Sequence, residues 1–173
     1  MDELNNLTSQ ITQSLTKITT KTPKEIEDSL LDLLIMAYVF GVKDVSESLK
    51  EKISPDTDKM YSSVNKETAG ESWKERLKKA ETGSEIERIF VTEAHRCISD
   101  GQWDSAEDRA THKTWITMDD DKVRDTHWVI DGLKLKINEY FFTLDGDKAL
   151  KPYGFEKPEN SINCRCRLKY TKE

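Results

Sequence analysis

The segment INCRCRLKY, residues 162–170, alternates with a period of two. Ile162, Cys164, Cys166, Leu168 and Tyr170 fall on one side, and Asn163, Arg165, Arg167 and Lys169 on the other. Only an extended strand with one face buried uses such a pattern, because successive side chains point to opposite faces of a sheet. A second alternating run, DGLKLKIN, sets Leu133, Leu135 and Ile137 against Lys134 and Lys136. KTWITM adds the β-branched and aromatic content of a third strand.

Upstream, the period changes to that of a helix. In TPKEIEDSLLDLLIMAYVFG, Thr22 is an N-cap, Pro23 suits the first helical position and Glu25 completes a capping box. Ile26, Leu30, Leu33, Leu34, Ala37 and Tyr38 recur at helical spacing, and Gly41 reads as a left-handed stop. VKDVSESLKEKIS reads as a separate shorter helix ending near Pro55. Residues 55–70 are poor in apolar side chains and read as a linker. ESWKERLKKAETG is a short charged helix. SEIERIFVTEAHRCISDG is a longer one, capped by Ser84 and closed by Gly101, with QWDSAEDRA as a further helix. The first twenty residues carry Leu4, Leu7, Ile11, Leu15 and Ile18 at weak helical spacing, read as a helix packed on its own domain. The expected fold is therefore α+β. Residues 1–54 form a helical N-terminal region, 55–70 a linker, and 71–173 a small mixed α/β domain with a short antiparallel sheet.

The net charge of −6 argues against a general nucleic-acid binder. Arg165, Arg167, Lys169 and Lys172 form the one local basic strip that would meet phosphate, with a solvated strand face as the plainer reading. No apolar run is long enough to span a bilayer, and MDELNNLTSQ lacks the features of a signal peptide. A reducing compartment is expected, and three cysteines are an odd number for a disulfide framework.

Side chains at i and i+2 of a strand sit on Cα atoms about 6.5–7 Å apart, near or beyond the limit for a disulfide. Cys164 and Cys166 therefore read as reduced core residues, packed under the turn that carries His127, and no cofactor is required. The competing reading is half of a tetrahedral zinc site, completed by His127, His95, Cys97, His112 or Asp131. The segment KTWITMDDDKVRDTHWVIDG admits two readings as well. Arg124 could fork onto a carboxylate and His127 bridge backbone groups, ordering the loop. Alternatively His127, oriented by Asp131 or Asp125 and flanked by Arg124, could act as a general base. No glycine-rich phosphate loop is present, and Asp119, Asp120 and Asp121 lack the spacing of a calcium loop.

VTEAHRCISDG, KTWITMDDDKVRDTHWVIDG, EYFF and NSINCRCRL, taken in this order, resemble the Mu F-like minor head proteins of tailed phages, also called head morphogenesis proteins. The resemblance covers roughly residues 89–168. It rests on Thr92, Glu93, Arg96, Lys113, Trp115, Asp121, Val123, Arg124, His127, Asp131, Gly132, Phe141, Asn163, Cys164, Arg165 and Cys166. It implies a minor component of the phage or prophage head, made in the host cytoplasm and held in the virion head interior. The implied partners are the portal protein, with scaffold or major capsid protein and DNA as further candidates, and no membrane. Such proteins enter the procapsid during assembly, and some influence how DNA is retained or released. A distant relation to ADP-ribosyltransferases keeps an effector enzyme, transferase or nuclease, as an alternative, although no Glu-x-Glu with a separate Ser-Thr-Ser strand is present. A zinc-stabilised nucleic-acid module is the third reading.

Overall fold

The computed structural model describes residues 22–68 and 70–173. The amphipathic spacing at residues 4–18 lies outside them. Four helices come first: α1 (Pro23–Leu49), α2 (Thr57–Val64), α3 (Trp73–Lys79) and α4 (Gly83–Ala106). The sheet-bearing half follows with β1 (His112–Ile116), α5 (Asp125–Trp128), β2 (Lys134–Lys136), β3 (Phe141–Phe142), β4 (Lys148–Ala149), α6 (Pro158–Ser161) and β5 (Arg167–Thr171). The fold is α+β, as the change of period implies.

The helix boundaries depart from the sequence expectation at both internal glycines. α1 starts at the expected box, with Thr22 and Glu25 capping each other, but runs through Gly41 to a left-handed Lys50. α4 runs through Gly101 to Ala106, absorbing the supposed extra helix, and its capping pair is Thr82 with Glu85 instead of Ser84. The glycines are not stops, because this is where α1 and α4 cross. A Cβ on Gly41 would stand 2.2 Å from the Ile98 carbonyl oxygen, and one on Gly101 would stand 2.2 Å from that of Tyr38. Leu30, Leu34, Ala37 and Tyr38 of α1 pack here with Phe90, Ala94, Cys97 and Ile98 of α4. The supposed linker also holds structure. Asp56 caps α2 through the amides of Asp58 and Lys59, and Val64 is fully buried in the helical core. A short amphipathic helix needs few apolar residues when one of them reaches the core.

The sheet has the order β2-β1-β5, with both pairings antiparallel. A two-stranded ribbon of β3 and β4 stands apart from it. A second core gathers Trp115, Ile130, Phe141, Phe155, Leu168 and Tyr170, with Val45 and Ala106 from the ends of α1 and α4. Trp115 is central, its ring 5.0 Å from Phe141 and 5.7 Å from both Phe155 and His127.

Beside Trp115 on the inner face of β1 lies Lys113, fully buried. Its ammonium donates to the carbonyls of Ile137 (2.7 Å) and Leu150 (2.8 Å), and sits over the Trp103 and Phe141 rings. Burial lowers its pKa to about 8, against a small opposing pull from Glu139. In the unfolded chain the group titrates at about 10.5, so between the two values the unfolded state binds more protons and stability rises with pH. The stability difference between wild type and Lys113→Met should thus move in favour of wild type by about 1–2 kcal/mol between pH 7.5 and 9.5. Urea midpoints at the two pH values measure it, and an unchanged difference would show that the amine keeps an ordinary pKa.

Candidate functional site

The cysteine segment is shaped before β5 begins. The strand covers only residues 167–171, so the alternation continues upstream without a ladder, and Ile162, expected inside, is exposed. Asn163 takes a left-handed conformation (φ 56°), and the Cys164 amide closes a turn onto the Ser161 carbonyl at 3.0 Å. That kink lets both sulfurs approach one atom. Cys164 Sγ lies 3.8 Å and Cys166 Sγ 3.5 Å from His127 Nδ1. The three are therefore brought together, as the zinc reading requires and as packing under the His127 turn also requires. Cys97 stands elsewhere, and all three cysteines are free thiols. The Cys164 thiol is held below its ordinary value by a hydrogen bond from Cys166, while that contact together with burial pushes Cys166 up.

His127 sits on the single turn of α5 and is buried, held by packing. Phe155 stacks on its ring at 5.3 Å and Trp115 meets it edge-on. Its Nε2 has no hydrogen-bond partner among the described residues.

α4 grips the segment from the other side. Thr92 Oγ1 donates to Asn163 Oδ1 at 3.1 Å, and His95 Nδ1 lies 3.3 Å from the Cys164 carbonyl oxygen, which also accepts from the Tyr153 hydroxyl. Burial lowers the pKa of His95, so it acts as a neutral donor. Arg165 forks onto Asp120 with bonds of 2.8 and 2.6 Å, tying the acidic turn down.

Several expected pairings do not form. The carboxylate fork belongs to Arg165, whereas Arg124 donates to the Ile162 carbonyl. Asp131 accepts from the Thr117 amide at 2.7 Å, bracing the turn where Gly132 has φ +69°, and Asp121 is exposed. No hydrogen bond joins the side chains of Arg124, His127 and Asp131, and His127 meets neither Asp125 nor Asp131. The oriented base is thus not assembled, because the thiols occupy the nitrogen a carboxylate would need. Nor does His127 bridge backbone groups. In the basic strip, Arg165 is paired with Asp120 and Lys172 with Glu51, leaving Arg167 and Lys169 exposed.

Glu93 and Arg96 belong to a separate buried ion cluster on α4. Arg96 spans Glu93 (2.8 Å) and Asp100 (2.8 Å), Arg76 reaches the other Glu93 oxygen at 2.6 Å, and Lys151 closes on Asp100. Ser63 donates to Asp100 at 2.8 Å. Burial pushes the Asp100 carboxyl up, but Lys151 and Arg96 outweigh it and hold it at about 2. Burial raises the Cys97 thiol beside them to about 11.

Sequence reasoning missed the clamp beside the β3–β4 ribbon. Asp147 accepts from the amides of Lys148, Glu156 and Lys157 and from Asn160 Nδ2 at 3.0 Å. The available signal was LDGD, a turn whose aspartates can accept neighbouring amides. Also missed was the surface this ribbon carries. Val129, Leu133, Tyr140, Phe142 and Leu144 are all exposed, Phe142 at 61% and Leu144 at 70%, around a groove of about 750 Å³.

Among the described residues no helix is long and apolar enough to cross a membrane. No curated protein and no solved structure is significantly similar to the chain. The family described as phage Mu protein F like protein matches residues 57–169, which takes in every signature residue from Thr92 to Cys166 together with α2 and α3. The chain therefore belongs to the phage Mu protein F like family and is a phage head-related protein.

Proposed function

We propose that this protein acts in head morphogenesis by binding the portal protein, through the apolar groove between α5, β2 and the β3–β4 ribbon. The observation that carries this reading is the cluster of exposed Val129, Leu133, Tyr140, Phe142 and Leu144. Contiguous apolar surface of that kind marks a protein contact. Around it the chain spends its unusual residues on fixing shape: Arg165 on Asp120, Asp131 on a backbone amide, His127 among aromatic rings. A module whose loops are cross-braced presents a preorganised surface, and so loses little entropy on docking.

Co-expression with the portal protein of the same phage tests the proposal. The wild-type chain is expected to co-purify with portal rings. Phe142→Asp with Leu144→Asp should weaken that association at least tenfold while leaving the thermal midpoint within about 2 °C, since both side chains are solvated in the free protein. Undiminished co-purification of the folded double variant would remove the groove from the interface, and absence of any wild-type association would overturn portal binding.

A further inference from the structure

The geometry points to a zinc-class metal site formed by His127 Nδ1, Cys164 Sγ and Cys166 Sγ. The three atoms lie within 4.8 Å of one another. Tetrahedral zinc with Zn–S near 2.3 Å and Zn–N near 2.0 Å has a sulfur-to-nitrogen edge of roughly 3.6 Å. The observed separations are 3.5 and 3.8 Å. An ion would need little movement of any ligand.

The surroundings favour the same assignment. His127 is 1% exposed, and its Nδ1 faces only the two sulfurs, its ring fixed by Phe155 and Trp115. Ligand histidines usually owe their orientation to an outer hydrogen bond; here aromatic packing supplies it. The sulfur spacing is set by the left-handed Asn163 turn, itself pinned by Thr92. A space of about 10 Å³ adjoins Cys166 and His127, edged by Met118, Arg124, Asn163 and Arg165. That is about the smallest space that admits one water, which in this assignment would complete the coordination. Both sulfurs enter as thiolates, their two protons going to solvent, while neutral imidazole gives its Nδ1 lone pair and keeps its proton on Nε2.

The test uses the full chain, reduced and without a polyhistidine tag, titrated with Co(II) and then Zn(II). The expected result is one Co(II) per chain, with thiolate-to-metal charge-transfer absorption and the strong visible bands of tetrahedral coordination, both erased by one equivalent of Zn(II). Bound Zn(II) should shield Cys166, the one partly exposed thiol of the three, from a thiol reagent. Cys166→Ser should abolish the charge-transfer band or weaken binding at least a hundredfold, beyond the 10–100-fold typical of an outer-shell change. Cys97→Ser should leave the spectrum unchanged. Cobalt uptake with no thiolate band, or Cys166 equally reactive with and without Zn(II), would show a plain thiol–imidazole contact and overturn the assignment. Should Cys166→Ser misfold, the wild-type band and the Cys166 reactivity still decide.

Discussion

Replacing Arg96 with alanine should destabilise the protein by about 3–5 kcal/mol, the cost of breaking a buried pair by removing one partner. The guanidinium, 3% exposed, bonds to Glu93, Asp100 and the Cys97 sulfur at once. Arg76 and Lys151 still cover one oxygen of each acid in the variant, which sets the effect near the lower end of that range. Arg96→Lys should recover less than half of the loss, because a single ammonium cannot span both carboxylates. The sign of the pH dependence is fixed as well. Asp100 has a folded pKa of about 2 against an ordinary 3.8, so its contribution is fully present above pH 4 and fades as the pH falls toward 2. In Arg96→Ala that carboxyl rises and acid unfolding should begin at higher pH. Chemical denaturation between pH 3 and 7 reads both effects. A loss under 1 kcal/mol at neutral pH would mean that water reaches the cluster and screens it.

The second large effect runs against the usual rule. Glycine to alanine inside a helix normally stabilises by about 1 kcal/mol. Gly41→Ala and Gly101→Ala should instead destabilise by about 2–3 kcal/mol, with midpoints lowered by about 5–10 °C. Each new methyl would meet a backbone carbonyl at 2.2 Å, and neither helix can yield without opening the core around Tyr38 and Ile98. Gly83→Ala, at the start of α4 with nothing within 4 Å, is the control and should be neutral or mildly stabilising. Unchanged midpoints for both crossing variants would show that α1 and α4 are not in backbone contact at this crossing.

Periodicity exposed the long helices, β2, β5 and the inward side of Cys164, because burial imposes period on sequence directly, whereas β1 showed through its composition and β3 and β4 were not legible. Periodicity misplaced the ends at Gly41 and Gly101, since a glycine needed for close approach looks the same as one needed for a left-handed turn. Thr57–Val64 went unseen because it buries only Val64 and Ser63 fully, with Met60 packed part-way against the core. At the candidate site, the meeting of His127 with Cys164 and Cys166 was anticipated. The two cysteines are grouped by short local spacing, and histidine and cysteine are flagged by their rarity in this chain. The exchange of roles between Arg124 and Arg165 was not, because which arginine reaches a carboxylate depends on the Asn163 turn. Lys113 was noticed only as part of a pattern. A buried amine answered by carbonyls and ring faces leaves no complementary acid in the sequence to betray it.

α4 is held on three sides between residues 92 and 102. Arg76 and Ser63 grip its buried charges, Gly41 locks its flank, and Thr92 and His95 reach from it to the Asn163–Cys164 turn. The turn that spaces the two sulfurs is thus anchored on the same stretch of α4 that carries the ion cluster and the glycine crossing, so a substitution that shifts this stretch would also disturb the spacing of Cys164 and Cys166.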